Sequence, residues 1–171
     1  MVWRKSFITL LVNLQQFHDS NTILQSSVIA MINEFYARHT TMHLFVEFND
    51  STFTEMLPDI LSSCANVSFM IESIDNVEEI GVKRRNVMIF ASNFQSLSSF
   101  VGLMTSTNFA FDGFYTIVMQ TISDDNASRV FRSFWKKFLY NVNIITMSED
   151  DGCVVMKTFL PFRENACHQS N

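Results

Sequence analysis

Apolar and polar residues follow one another along this chain in two different rhythms, and the alternation of the two rhythms predicts the architecture. Short, mostly apolar runs are typical of β-strands, whereas longer stretches with apolar residues three or four positions apart are typical of amphipathic helices. Strands are predicted at residues 42–48, 67–73, 87–92, 113–120, 142–147 and 153–162. Helices are predicted at residues 21–38, 51–64, 94–105 and 127–140.

Strands that alternate with helices predict an α/β fold, with a mostly parallel sheet of about five or six strands and helices on both faces. The unbroken apolar run at residues 87–92 indicates a strand that is buried on both faces. The last two strands are joined by a turn that contains Asp151-Gly152, which is a hairpin signal. We therefore expect the sheet to end in an antiparallel edge hairpin.

The chain has 171 residues, which suits one domain with a sizeable core. Near the start, Arg4 and Lys5 precede an apolar stretch, as in a short signal peptide, but the first strand or helix of the domain explains the pattern equally well. The expected organisation is a signal-like segment or first element at residues 1–19, followed by a single α/β domain at residues 20–171.

Composition narrows the possible classes of protein. Hydrophobic residues make up 47% of the chain and charged residues 17%, which is typical of a globular domain and not of a disordered chain. The formal net charge of −5 argues against a nucleic-acid partner, which would require a basic face. No apolar run approaches the roughly 20 residues that a membrane-spanning helix needs.

The familiar catalytic and cofactor motifs do not occur in the sequence. There is no glycine-rich GxGxxG or GxxxxGK[ST] turn for a nucleotide and no GxSxG nucleophile elbow. His39 and His43 are four residues apart, but they straddle a predicted helix-to-strand boundary, where a shared metal-binding face does not persist. We therefore predict no catalytic residue, no cofactor and no metal site, and a protein that is not an enzyme.

Several further residues are candidates for a solvent-exposed loop, for glycosylation or for a disulfide. The basic run Lys83-Arg84-Arg85 is expected to solvate a loop before a buried strand. Three Asn-x-Ser sequons mark candidate glycosylation sites at Asn49, Asn66 and Asn126. Of the three cysteines, Cys153 and Cys167 are the candidate disulfide pair in an oxidising compartment, with Cys64 as the alternative partner of Cys167. In the cytosol, all three would instead be ordinary small core residues.

The last forty or so residues carry a recognisable pattern: an aromatic helix, an Asn-Val strand, a turn, a Thr-Phe-x-Pro-Phe strand and a cysteine. The pattern is formed by Trp135, Asn141, Val142, Thr158, Phe159, Pro161, Phe162 and Cys167. It resembles the N-terminal ectodomain of insect divergent ionotropic receptors, which are chemosensory relatives of the ionotropic glutamate receptors. The aromatic members are also expected to form an ordinary core face, in which Phe131, Phe134, Trp135 and Phe138 pack on the sheet.

The resemblance implies an extracellular, glycosylated ectodomain of a ligand-gated cation channel in the plasma membrane, with half of a periplasmic-binding-protein-like architecture. Its partners would be the rest of the receptor, co-receptor subunits and a small chemosensory ligand. It implies that the chain ends before the clamshell ligand-binding domain and the pore, so no ligand-binding residue is carried over. The alternative is a stand-alone α/β protein that binds a small molecule or acts as a hydrolase.

Overall fold

The computed structural model describes residues 20–36, 41–78, 81–148 and 152–159, and the strands in these ranges form one sheet. The strands are β1 (Thr41–Val46), β2 (Ser68–Ser73), β3 (Arg84–Phe90), β4 (Phe109–Val118), β5 (Asn141–Met147) and β6 (Val154–Thr158). Their order in the sheet is β2-β1-β3-β4-β5-β6. Strands β1 to β5 are parallel to their neighbours, and β6 is antiparallel to β5. The predicted α/β class and its edge hairpin are confirmed.

Helices cover both faces of this sheet, as predicted. They are α1 (Ser20–Met31), which continues as a π-helical turn at Ile32–Tyr36, α2 (Ser51–Ser63), α3 (Phe94–Leu103) and α4 (Asp124–Lys136). Buried side chains of α1 and α2 join one core cluster, and those of α3 and α4 join a second cluster on the opposite face. Residues 87–90 of β3 are fully buried and divide their side chains between the two clusters, which explains their unbroken apolar run.

Polar residues start three of these helices at positions where the sequence leaves a strand. Asp50, Asn93 and Ser123 have extended backbones, and their side chains accept hydrogen bonds from the first turns of α2, α3 and α4. Each cap satisfies backbone N–H groups that have no partner inside the helix. The three caps lie a few residues beyond the ends of β1, β3 and β4. They therefore lie at the end of the sheet where β1 to β5 finish, which we call the carboxyl edge.

The opposite end of the sheet, the amino edge, contains a large irregularity in β4. Arg84 of β3 pairs with Phe109, whereas Asn86 pairs with Phe114, so β4 has several more residues than β3 over this stretch. Such a β-bulge bends the strand and turns side chains away from the regular ladder. Here it leaves Phe111 exposed.

Two contacts hold the bulge in place. A Cβ atom at Gly113 would lie 2.6 Å from the carbonyl oxygen of Arg85, so only glycine fits where the two backbones approach. The buried Tyr115 hydroxyl donates a hydrogen bond to the carbonyl oxygen of Ala110, at 2.5 Å. Burial raises the pKa of Tyr115, which keeps the hydroxyl protonated as a donor.

The end of α4 departs from the prediction that Phe131, Phe134, Trp135 and Phe138 share one packed face. Phe131 and Phe134 are buried, but Trp135 is 37% exposed and Phe138 is 61% exposed. The reason is that α4 ends at Lys136 and Phe138 adopts a left-handed backbone with a φ of 62°. The helix period therefore no longer applies at Phe138, and its ring turns out of the core.

Candidate functional site

The strand order places a topological switch point at the carboxyl edge, between β1 and β3. The chain leaves β1 towards β2 on one side and leaves β3 towards β4 on the other side, so the two connections diverge. Open α/β sheets bind ligands in the crevice outside such a switch point. The first residues beyond the two strands in this chain are therefore the first place to look for a site.

Glu47, which follows β1, bridges this switch point and is half-buried. One carboxylate oxygen (Oε2) accepts hydrogen bonds from the backbone N–H of Ser92 at 2.7 Å and from its hydroxyl at 2.8 Å. The other oxygen (Oε1) accepts one from the hydroxyl of Ser96 at 2.7 Å. The carboxylate thus lies at the N-terminus of α3, where the helix dipole favours negative charge.

Gln120, which follows β4, makes a second polar junction at the same edge. Its side-chain amide donates hydrogen bonds to Asn21 Oδ1 at 3.2 Å and to Thr52 Oγ1 at 3.3 Å, which lie in the first turns of α1 and α2. Its carbonyl oxygen accepts a hydrogen bond from the hydroxyl of Thr146. The carboxyl edge is therefore lined by convergent polar groups that also bond to one another.

This arrangement determines which ligand chemistry suits the carboxyl edge. The N-terminus of α3 would otherwise attract an anion, but Glu47 already supplies the negative charge there. A carboxylate offers about four lone-pair positions, and the described donors use three of them. The edge is therefore better suited to neutral or cationic hydrogen-bond donors than to a second carboxylate or a phosphate.

Sequence analysis did not identify Glu47, Ser92 or Gln120. The signal was present, because polar residues end the apolar runs of β1, β3 and β4 at these positions. It was too weak to stand out, since a polar residue after a strand is ordinary turn chemistry. Only the strand order shows that the residues after β1 and β3 face each other.

A second polar cluster lies within the sheet, and it corrects the expectation for the basic run at residues 83–85. Arg84 does not solvate a loop: its side chain is fully buried and forms a two-pronged ion pair with Glu72 of β2, with Nε and Nη2 at 2.9 and 2.5 Å from the carboxylate oxygens. Arg85 behaves as expected, since its side chain is 64% exposed and pairs with the exposed Asp112.

The surroundings of Arg84 are shaped for a guanidinium group. Its central carbon lies 5.4 Å from the ring centre of Phe45 and 5.5 Å from that of Phe109, so the cation packs between two aromatic rings. Nη2 also donates to the carbonyl oxygen of Glu78, which fastens the connection between β2 and β3 to the sheet. Nη1 is buried without a hydrogen-bond partner in the described part of the chain. The cluster is a structural support for the connection between β2 and β3.

His43 joins this cluster from β1, where the Nδ1 atom lies 3.2 Å from Glu72 Oε1. Burial lowers the pKa of His43, and the hydrogen bond to Glu72 opposes that shift only in part. His43 is the third residue of β1, just past the predicted helix-to-strand boundary, and it is buried. His39 lies outside the described residues.

The motif residues that carried the family resemblance come together where α4, β5 and β6 meet. Phe159 stacks on Phe131 with ring centres 5.5 Å apart, and Trp135 meets it edge-on at 5.7 Å. Val142 is buried beneath them, and its carbonyl oxygen accepts a hydrogen bond from the N–H of Phe159. This is a packing cluster, in keeping with the core role expected for its aromatic members.

The polar members of the motif lie at the margins of this cluster. Asn141 is the exposed first residue of β5, and Thr158, the exposed last residue of β6, donates a hydrogen bond to Asn143 Oδ1 at 2.8 Å. Pro161, Phe162 and Cys167 lie outside the described residues.

The candidate modification sites differ in accessibility. Asn49 and Asn66 are exposed in turns, whereas Asn126 is half-buried in the first turn of α4. Cys153 is exposed just before β6, and Cys64 is buried, where burial raises the pKa of its thiol. Since the partner Cys167 lies outside the described residues, the Cys153–Cys167 pairing stays a prediction.

Comparison with known proteins yields one family. A family model described as "Putative ionotropic receptor, ligand binding domain" matches residues 14–171. A search of curated proteins found no match. Within the described ranges, none of the helices has the length and apolar character needed to cross a bilayer.

Proposed function

Because this chain belongs to the ionotropic receptor ligand-binding domain family, we propose that it is the extracellular amino-terminal domain of a chemosensory ionotropic receptor, a ligand-gated cation channel subunit. In this role it is a non-catalytic module for ligand sensing or assembly. The family match over residues 14–171 is the observation that carries the proposal. The description of the family as a receptor's ligand-binding domain supports a binding role over a catalytic one.

The carboxyl edge is the surface that we propose for the ligand or for a neighbouring lobe. Two features support it: the switch point between β1 and β3, and the half-buried Glu47 carboxylate beside it. A donor-bearing ligand or a basic side chain of a neighbouring domain fits the charge of this edge. The partners in this proposal are the remainder of the receptor and its co-receptor subunits.

The extracellular part of the proposal is tested by expressing the chain with a secretion signal. Its intact mass is then measured by mass spectrometry without reduction, before and after glycan removal. We expect glycan at Asn49 and Asn66, because both are exposed in turns, and less at Asn126, which lies in a helix. We also expect a mass that indicates a disulfide between Cys153 and Cys167. Single Asn→Gln variants assign each glycan.

The opposite result would be three free thiols and aggregation on secretion, together with clean folding in the cytosol. That result would contradict the receptor proposal and favour a stand-alone α/β protein.

The binding part is tested by thermal-shift measurements on the secreted chain with small amines, amino acids and carboxylic acids as probes. We expect amines to raise the melting temperature of the native chain and Glu47→Gln to abolish that shift. Glu55→Gln, which alters an exposed carboxylate on α2, is the matched control and should keep it. A response to carboxylic acids alone, or an equal response in both variants, would show that Glu47 does not select the ligand.

A further inference from the structure

The sheet ends on one side in β2, whose outward backbone groups no described strand covers. β2 is the first strand of the order β2-β1-β3-β4-β5-β6, and in the described part of the chain it pairs with β1 alone. This pairing keeps a regular parallel register from Ser68 to Ser73, without a bulge. Such a strand presents a row of N–H and C=O groups on its open side, to which another strand can be added.

The hydrogen bonds of the sheet show which residues of β2 direct their backbone groups to the open side. The N–H of Ile74, just after β2, donates to the carbonyl oxygen of Val46 in β1. Backbone groups of successive residues in a strand point to opposite sides, so the even-numbered residues of β2 face β1. The backbone groups of Phe69, Ile71 and Ser73 therefore point away from the sheet.

The side chains of β2 do not guard this open side. Natural proteins often protect an edge strand with lysine, proline, a bulge or another charge. β2 has no lysine or proline, and its charged residue, Glu72, is paired with the buried Arg84 and is only 14% exposed. Met70 and Ile71 are instead 41% and 43% exposed, on opposite faces of the strand. An apolar strand with no unpaired charge is suited to pairing.

The strand is complementary to itself in antiparallel orientation. A two-fold axis at Met70 would place Phe69 of each copy opposite Ile71 of the other copy. Because both residues direct their backbone groups outward, each such pair exchanges both of its hydrogen bonds. The two Met70 side chains meet at the axis in a non-hydrogen-bonded pair, where side chains come closest. Glu72 lies opposite Ser68, so like charges do not face each other.

The two neighbouring registers fit less well. An axis at Ile71 would place Phe69 opposite Ser73, whose carbonyl oxygen already accepts a hydrogen bond in the turn that follows β2. An axis at Phe69 would place Ile71 opposite Val67, whose N–H already donates a hydrogen bond in the turn that precedes β2. The axis at Met70 uses neither of these groups.

We propose that this chain forms a two-fold dimer through β2, in which the sheets of two copies join into one continuous sheet. The partner is a second copy of the chain, because β2 offers the apolar side chains and the outward backbone groups that its own copy can pair with. Two paired strands bury little surface, so the dimer is weak and depends on protein concentration. It does not require a ligand at the carboxyl edge.

The first test is sedimentation velocity of the full-length secreted chain over a range of concentrations. We expect a reversible dimer, and we expect Ile71→Pro and Met70→Lys each to raise its dissociation constant about tenfold or more. Proline removes an outward N–H without breaking a bond to β1, and lysine places two like charges at the axis. Leu103→Lys, at an exposed position at the end of α3, is the matched control and should leave the dimer unchanged.

The second test locates the axis. In a non-hydrogen-bonded antiparallel pair the Cα atoms lie about 4.5 Å apart, which is within the range that a disulfide spans. Met70→Cys should therefore cross-link two copies under mild oxidation, and mass spectrometry should identify the peptide that contains position 70 joined to its own copy. Leu103→Cys is again the matched control and should not cross-link at position 103.

Three outcomes would overturn the proposal. A monomer at every concentration would exclude the dimer, and a dimer that neither β2 variant weakens would assign the interface to another surface. Amides of Phe69 and Ile71 that are protected from hydrogen exchange in a dilute monomer would show that another segment of the same chain covers the open side of β2.

Discussion

The carboxyl edge and the amino edge of the sheet differ in backbone geometry and in the side chains that they expose. At the carboxyl edge, polar side chains such as Glu47 and Gln120 hydrogen-bond to the first turns of three helices, and the backbone caps are regular. At the amino edge, the backbone is bent by a bulge and by a left-handed phenylalanine, and two aromatic rings remain in solvent. The polar groups of the carboxyl edge are hydrogen-bonded within the chain, whereas the amino edge combines a strained backbone with exposed apolar rings.

Arg84 is the first residue of β3 and lies at the amino edge. Removing the charge of its partner Glu72 should have the largest effect on the free energy of unfolding. Glu72→Gln leaves a fully buried guanidinium without its counter-charge, which we expect to cost about 3–5 kcal/mol in the free energy of unfolding. Chemical denaturation of the secreted chain measures this value. The double variant Glu72→Leu/Arg84→Met should recover most of the loss, because it removes both charges; if it is as unstable as Glu72→Gln, desolvation of Arg84 is not the cause.

The carboxyl edge should respond less strongly, because Glu47 is only half-buried. Glu47→Ala leaves the N–H and hydroxyl of Ser92 and the hydroxyl of Ser96 without their acceptor, and we expect a loss of about 2 kcal/mol. Glu55→Ala, on an exposed position of α2, should change the unfolding free energy by less than about 0.5 kcal/mol. Equal effects of the two variants would show that the Glu47 hydrogen bonds do not stabilise the edge.

The backbone strain of the amino edge can be isolated at Phe138. Phe138→Ala and Phe138→Gly both remove the ring, but only glycine adopts a φ of 62° without steric cost. We therefore expect the glycine variant to be more stable than the alanine variant by about 1 kcal/mol in thermal or chemical unfolding. Equal stability of the two variants would mean that the left-handed residue is not strained.

The smallest effect is expected at the exposed ion pair beside the bulge. Arg85 and Asp112 are both largely exposed, so Asp112→Asn should lower the unfolding free energy by no more than about 0.5 kcal/mol, and this loss should shrink at high salt, which screens exposed charges. A large loss would show that the pair, and not Gly113 and Tyr115, holds the bulge. Thermal unfolding at low and high ionic strength makes the measurement.

Much of the fold was predictable from the sequence, because hydrophobic periodicity is a local property. The run at residues 87–92 identified a strand buried on both faces, and the Asp151-Gly152 signal identified the edge hairpin that β5 and β6 form. The end of α4 was predicted less well. The spacing of apolar residues predicted a helix to residue 140, but α4 ends at Lys136. This spacing gives no signal for a left-handed backbone at a residue other than glycine, such as Phe138.

The sequence by itself determined the α/β class, the burial of β3 and the antiparallel edge hairpin. Only the tertiary structure decided that Arg84 is buried while the adjacent Arg85 is exposed. The same holds for Glu47 and Ser92, which meet across the switch point. The physical reason is that each decision depends on a partner in another element, Glu72 of β2 in one case and Ser96 in the first turn of α3 in the other. Local pattern shows which residues prefer burial, but the order of the strands decides which charged residue finds a counter-charge there.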